Sequence, residues 1–168
     1  MKGIVLVELI KMAEDAFGED VVDQVLDEAE LSTDGAFTSV GNYPCSDLVK
    51  IVEGLSADSG VSGEILQKKF GHWMMEQFGE KFPESFVDKS NSMELLEAVE
   101  EEIHVEVRKL YPDAELPRFD TRRISDDHLR IVYTSPRPLE AFCYGLIEAS
   151  VDRFGERAVI EATKDDAP

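Results

Sequence analysis

Tyr133-Thr134-Ser135-Pro136-Arg137 is the densest run of binding chemistry in this 168-residue chain. If Tyr133 to Ser135 closes a strand, the two-residue alternation sets the phenol and the Ser135 hydroxyl on one face, and Pro138 opens the next helix. Both groups donate hydrogen bonds, and the planar guanidinium of Arg137 grips a carboxylate through its fork of N–H groups. The trio suits a ligand with two carboxylates. Upstream, His104 offers an imidazole that can ligate a metal. Each piece has an ordinary explanation when read alone, because a tyrosine at a strand end, an arginine before a helix and a histidine on a helix flank are common structural residues. Together, one imidazole on a metal and three side chains on two acid tails describe a haem with its propionates.

These residues need elements to position them. Met93 to Leu110 reads as one helix capped by Ser92, with Leu96, Val99, Ile103, Val107 and Leu110 in a single stripe. At about 100° per residue, His104 stands roughly 90° from the middle of that stripe, at the border of the buried face. Arg118 to Ile124 and His128 to Thr134 alternate around Ser-Asp-Asp as a β-hairpin does. Leu139 to Phe154 reads as a long helix with Phe142, Cys143, Leu146 and Val151 on one face, and Arg157 to Thr163 as a strand. Earlier, helices are expected over Ile4 to Phe17, stopped by Gly18, over Asp20 to Glu30, and after N-caps at Ser46 and Ser62 as far as about Leu55 and Phe78. Ser32 to Pro44 reads as a loop. Phe-Gly-Glu recurs at Phe17, Phe78 and Phe154 and is read as helix punctuation. Helices first and an antiparallel sheet later predict an α+β fold in one domain, with a helical part over about residues 1–90 and a ligand-helix and sheet part over about 91–168.

Charge narrows the partners. With 36 acidic against 17 basic side chains, the net of −19 repels phosphate, so nucleic acid and anionic membrane surfaces are disfavoured. Yet residues 104–137 hold seven of the cations against six acids, the one stretch that does not repel an anionic small molecule, although solvated strand faces often carry such charges. The chain has no apolar run long enough for a membrane span, and the run Ile4 to Val7 is cut by Glu8 with no cleavage signal after it, so the expected address is cytoplasmic. Cys45 and Cys143 are the only thiols and read as structural cysteines. Neither His72 nor His128 has a carboxylate or thiol at zinc-ligand spacing.

The opening Met1-Lys2-Gly3, Ile103-His104-Val105-Glu106-Val107, the turn Tyr111-Pro112-Asp113-Ala114-Glu115-Leu116-Pro117, Tyr133-x-Ser135-x-Arg137 and Gly145-Leu146-Ile147-Glu148 resemble the haem nitric oxide/oxygen-binding (H-NOX) domains, bacterial relatives of the haem domain of soluble guanylate cyclase. The resemblance covers Met1 to about Phe154. It implies haem b as cofactor, His104 as proximal iron ligand, Tyr133, Ser135 and Arg137 on the propionates, and Pro117 packed on the haem, helping to distort it. It further implies a gas-binding side lined by Val5, Leu9, Met74, Met75, Phe78, Phe142 and Leu146, positions that are ordinary core without it.

Oxygen-binding members of that family place a tyrosine where this chain has Phe142. Bound oxygen benefits from a hydrogen-bond donor far more than NO or CO does. Tyr144 lies about 200° away round the helix and cannot substitute, so selectivity for nitric oxide, with CO also bound, is expected. The resemblance implies that NO weakens the bond to His104 and that the resulting two-state shift is read by a separate partner, a histidine kinase or a diguanylate cyclase or phosphodiesterase. No enzymatic activity is expected of the chain itself, which has no room for an attached output domain. Two other classes stay open. A haem enzyme would need a distal acid or base, for which His72 is the only neighbour in sequence; a haem-free interaction domain, or a carrier of an apolar ligand, would leave the protein colourless. Similar proteins continue with a hairpin and a further strand, whereas this chain stops at Lys164-Asp165-Asp166-Ala167-Pro168, so the sheet is expected to be one strand short with an open edge.

Overall fold

The structure is a computed structural model that describes residues 1–164. Its order is Gly3–Phe17 (α1), Glu19–Glu28 (α2), Cys45–Ser59 (α3), Gly63–Lys81 (α4), Glu84–Val87 (α5), Ser92–Glu97 (α6), a π-helical turn Val99–Ile103, His104–Leu110 (α7), Arg118–Ser125 (β1), His128–Thr134 (β2) and Glu140–Arg153 (α8). Helices packed with an antiparallel hairpin make the α+β fold expected from the sequence. Among the described residues, no helix is long and apolar enough to cross a membrane.

Local chemistry explains most boundaries. Gly18 ends α1 at φ 88°, a value that favours glycine. Ser62 caps α4 by accepting the Ile65 N–H at 3.3 Å. Ser46, expected to cap α3, lies within its first turn instead, because Pro44 supplies the non-helical residue that opens the helix. Phe-Gly-Glu ends α1 and α8 but not α4, which runs through Phe78-Gly79 to Lys81.

The core lies among α1, α3 and α4, where Leu6, Leu9, Ile51, Leu66, Phe70 and Met74 are essentially inaccessible. Glu8 is equally buried and is held there by Trp73 Nε1 at 3.2 Å, Lys81 Nζ at 2.9 Å and Lys11 Nζ at 3.1 Å. Burial alone would raise its pKa, yet these donors hold it below the ordinary value. The run Ile4 to Val7 followed by Glu8 is therefore one continuous helix clamped to α4.

Helices α4 and α8 cross at very close range. A Cβ on Gly71 would lie 2.6 Å from the Phe142 carbonyl oxygen, and one on Gly145 would lie 2.2 Å from that of Lys68. Only glycine lets these backbones meet, and the crossing brings Phe142 onto Phe70, with ring centroids 4.9 Å apart.

Three expectations need correction. Met93 to Leu110 is not one α-helix, since the π-turn divides it. One extra residue in a turn moves every later side chain back by about 100°. His104 thereby leaves the flank for the buried face, at 8% exposure, while Leu110 turns outward to 58%. Ser92 is also not the cap of α6; Asn91 is, accepting the Glu94 N–H at 2.9 Å. Ser92 donates its N–H and hydroxyl to Glu156 at 3.1 and 2.5 Å.

The third correction concerns Arg157 to Thr163, which forms no strand. Its backbone is drawn elsewhere: Tyr144 donates to the Ile160 carbonyl at 3.2 Å, and Glu156 is fastened to α6. Among the described residues the sheet is the pair β1 and β2 alone, with Phe119 opposite Tyr133 and a bulge near Ile124. Asp165 to Pro168, part of the tail behind the expected open edge, lie outside the described residues.

Candidate functional site

His104 begins α7, directly after the π-turn that aims it inward. Its Nδ1 lies 3.2 Å from Glu100 Oε2, and its Nε2 has no hydrogen-bond partner among the described residues. Burial lowers its pKa against the opposing effect of Glu100, which favours the neutral imidazole, the form that ligates a metal. Its ring meets Phe119 edge-on at 5.7 Å, and Phe119 meets Tyr133 at 5.4 Å. An aromatic ladder thus runs from the start of α7 across β1 to β2, built by the inward half of the strand alternation.

Tyr133 is half-buried, and burial raises its phenol, with Ser135 beside it opposing. Ser135 Oγ accepts the Arg137 N–H at 3.1 Å, which leaves its O–H available to donate. Arg137 is engaged with Glu115: its two terminal nitrogens donate to the Glu115 carbonyl at 2.6 Å and carboxylate at 2.8 Å. The guanidinium therefore fastens the turn that ends at Pro117, two residues on. Pro117 is half-buried immediately before β1.

The apolar set divides. Leu9 and Met74 belong to the buried core, and Val5, Phe78, Phe142 and Leu146 pack against it, whereas Met75 is half-buried outside that group. None of these side chains donates a hydrogen bond. Tyr144 is turned away, with its hydroxyl on Ile160 and its ring beneath Lys68 Nζ at 4.3 Å. His72 also faces outward, 3.6 Å from Glu148 and 3.8 Å from Asp152, in a surface cleft of about 480 Å³. Its side chain is 41% exposed, on the surface with those two carboxylates.

Among the described residues no three His, Cys, Asp or Glu side chains converge as a metal cage. Cys45 and Cys143 are free thiols, and burial pushes Cys143 up to about 12. A metal here needs most of its ligands from elsewhere, as an iron porphyrin provides. The donor set fits that group: one buried imidazole whose Nε2 has no partner among the described residues, a phenol and a hydroxyl near a guanidinium, and an apolar cluster on the other helices.

Sequence reasoning missed Glu100, Phe119 and Glu115. Glu100 carried a signal, since a carboxylate four residues before a histidine on a helix is placed to meet it. Phe119 and Glu115 were visible only as an inward strand position and a turn residue.

A family model described as Haem-NO-binding matches residues 2–162. Among solved structures, the Fe(II) unliganded H-NOX protein from K. algicida is 34% identical, with 92% of this chain and 84% of that chain covered and a TM-score of 0.86. The H-NOX from Shewanella woodyi, solved bound to IWP-051 in the Fe(II)CO state, is 38% identical, covering 94% of this chain and 83% of that one, with a TM-score of 0.80. An H-NOX protein from S. oneidensis in the Fe(II)NO state shares the fold at 24% identity, with 92% and 86% of the two chains covered and a TM-score of 0.84. Among curated protein sequences there is no match.

Proposed function

Because the chain belongs to the haem-NO-binding, or H-NOX, family of haem-based gas sensors, we propose that it is a single-domain, cytoplasmic nitric oxide sensor that binds haem b and reports to a separate protein. Bound haem would supply a ferrous iron to which a diatomic gas can coordinate. His104 would hold that iron, Tyr133, Ser135 and Arg137 would hold the propionates, and Pro117 would pack on the porphyrin. Val5, Leu9, Met74, Met75, Phe78, Phe142 and Leu146 line the gas side. None of them donates a hydrogen bond, so the site discriminates against oxygen, whose partial charge is left unsolvated.

The signal is carried by the position of His104. Held by a metal, His104 would fix α7 against β1; unheld, it would leave α7 free to move relative to the helical half, a difference that a partner preferring one of the two arrangements would read. A histidine kinase or a cyclic-di-GMP enzyme, carried as a separate chain, is the proposed reader, docking through basic residues on this acidic molecule.

The buried His104, with Nδ1 on Glu100 and no hydrogen-bond partner on Nε2 among the described residues, is the observation that carries this reading. Absorption spectra of the ferrous protein without gas, with CO, with NO and in air test it, repeated for His104→Gly. The wild type is expected to respond to NO and CO and to form no stable complex in air, and His104→Gly to lose its haem unless imidazole is added. A stable oxygen complex would end the selectivity claim. The engagement of Arg137 by Glu115 favours a second reading, a haem-free interaction domain; a colourless protein that refuses added hemin would establish it.

A further inference from the structure

Of the three consecutive acids in the π-turn, Glu101 and Glu102 are exposed, and Glu102 reaches outward to Lys89 at 2.7 Å. Glu100 alone turns in, and three donors from two elements, α7 and β1, converge on it. Its Oε2 accepts the Phe119 N–H at 3.1 Å and faces His104 Nδ1 at 3.2 Å, while its Oε1 accepts from Arg108 at 3.2 Å. A carboxylate gripped by a guanidinium and a backbone N–H is ionised and can only accept. His104 Nδ1 must therefore carry the proton, because the other tautomer would set a lone pair against the carboxylate. That leaves the Nε2 lone pair directed away from Glu100, the form a metal requires.

We propose that Glu100 is the positioning residue of the haem site: it fixes the tautomer and ring orientation of His104 and ties the imidazole to strand β1. This rests on the reading of His104 as the iron ligand. A carboxylate on Nδ1 raises the basicity of a ligating imidazole and resists its release. Because the same oxygen holds the Phe119 N–H, the imidazole cannot swing away without either breaking its bond to Glu100 or pulling on β1. Phe119 lies against both His104 and Tyr133, so the displacement passes along the aromatic ladder into the hairpin. Glu100 thus sets how firmly His104 is held and where its motion goes.

Two measurements test this. In the haem-free full chain, ¹⁵N NMR of the imidazole reads the tautomer: Nδ1–H is expected in the wild type and a mixture in Glu100→Gln, and an Nε2–H wild type overturns the proposal. In the ferrous haem protein, resonance Raman reads the iron–histidine stretch. Glu100→Gln is expected to lower its frequency, to weaken hemin affinity by about 10–100-fold and to enlarge the fraction of NO complex in which His104 has let go. Glu100→Asp is expected to restore part of the frequency, whereas Glu101→Gln, at an exposed neighbour, leaves it near the wild-type value. An unchanged stretch in Glu100→Gln overturns the role of Glu100. A wild-type stretch that survives in His104→Gly instead overturns the ligand assignment, so the two failures are distinguishable.

Discussion

Position 142 decides which chemistry the apolar cluster permits. Phe142 is half-buried, stacked at 28° on Phe70, and packed against the apolar core to which Leu9 and Met74 belong, side chains that carry no donor. Phe142→Tyr adds one hydroxyl to this surface. With haem present, that variant is expected to show an oxygen-dependent ferrous spectrum, and the wild type is expected to show none. In the haem-free protein the same hydroxyl has no partner and is expected to cost about 1–3 kcal/mol, read as a lower midpoint in denaturant. A variant whose ferrous spectrum is unchanged in air would show that the cluster around Phe142 does not face the gas. At this scale the sequence was informative: His104, Tyr133, Ser135 and Arg137 are all legible as chemistry, because residue type alone limits what each group can donate or hold. Their partners were not legible, since Glu115 and Phe119 meet them across turns and strands.

At the scale of elements, the α4–α8 crossing and the π-turn do most to shape the site. The crossing depends on Gly71 and Gly145, which let two helices approach to backbone contact and so press Phe142 and Leu146 toward Phe70 and Met74. Gly145→Ala places a methyl group 2.2 Å from the Lys68 carbonyl oxygen, where backbone must yield. Overpacking of this kind costs about 1–3 kcal/mol, so a melting temperature lower by roughly 2–10 °C is expected. No change on calorimetry would mean that the helices separate at little cost. The π-turn escaped the sequence because hydrophobic periodicity assumes a constant angle per residue. An unbroken α-helix puts His104 on the flank; one extra residue puts it in the interior.

The molecule as a whole is an acidic protein whose important carboxylates are nevertheless held charged. Lys2 at 2.6 Å, helped by Asn42, lowers Asp113 from 3.8 to about 2; it joins the turn after α7 to the start of the chain. Glu97 is lowered by its two-pronged bond to Arg123, which ties α6 to β1. A group whose folded pKa is depressed contributes stability that is complete above its unfolded pKa and disappears as pH falls through the folded one. For Asp113 that window runs from about 4 down to about 2. Denaturant midpoints measured from pH 7 to pH 2 are expected to fall within it, and Asp113→Asn to fall less steeply there after starting lower at pH 7. Parallel curves for the two proteins would show that the Lys2 contact contributes nothing to folding.

The sequence by itself determined the α+β order, the hairpin and its register faces, the acidic character, and the residue types able to hold an iron porphyrin. All of these follow from local pattern: periodicity, turn residues, charge and side-chain chemistry are properties of short stretches. Tertiary structure decided the rest. It turned His104 inward through one added residue, placed Glu100 on its Nδ1, engaged Arg137 with Glu115, and fastened Glu156 to α6 and Ile160 to α8 where a further strand was expected. Each outcome depends on which donors and acceptors far apart in the chain are brought within hydrogen-bonding distance, and only the folded packing fixes those distances.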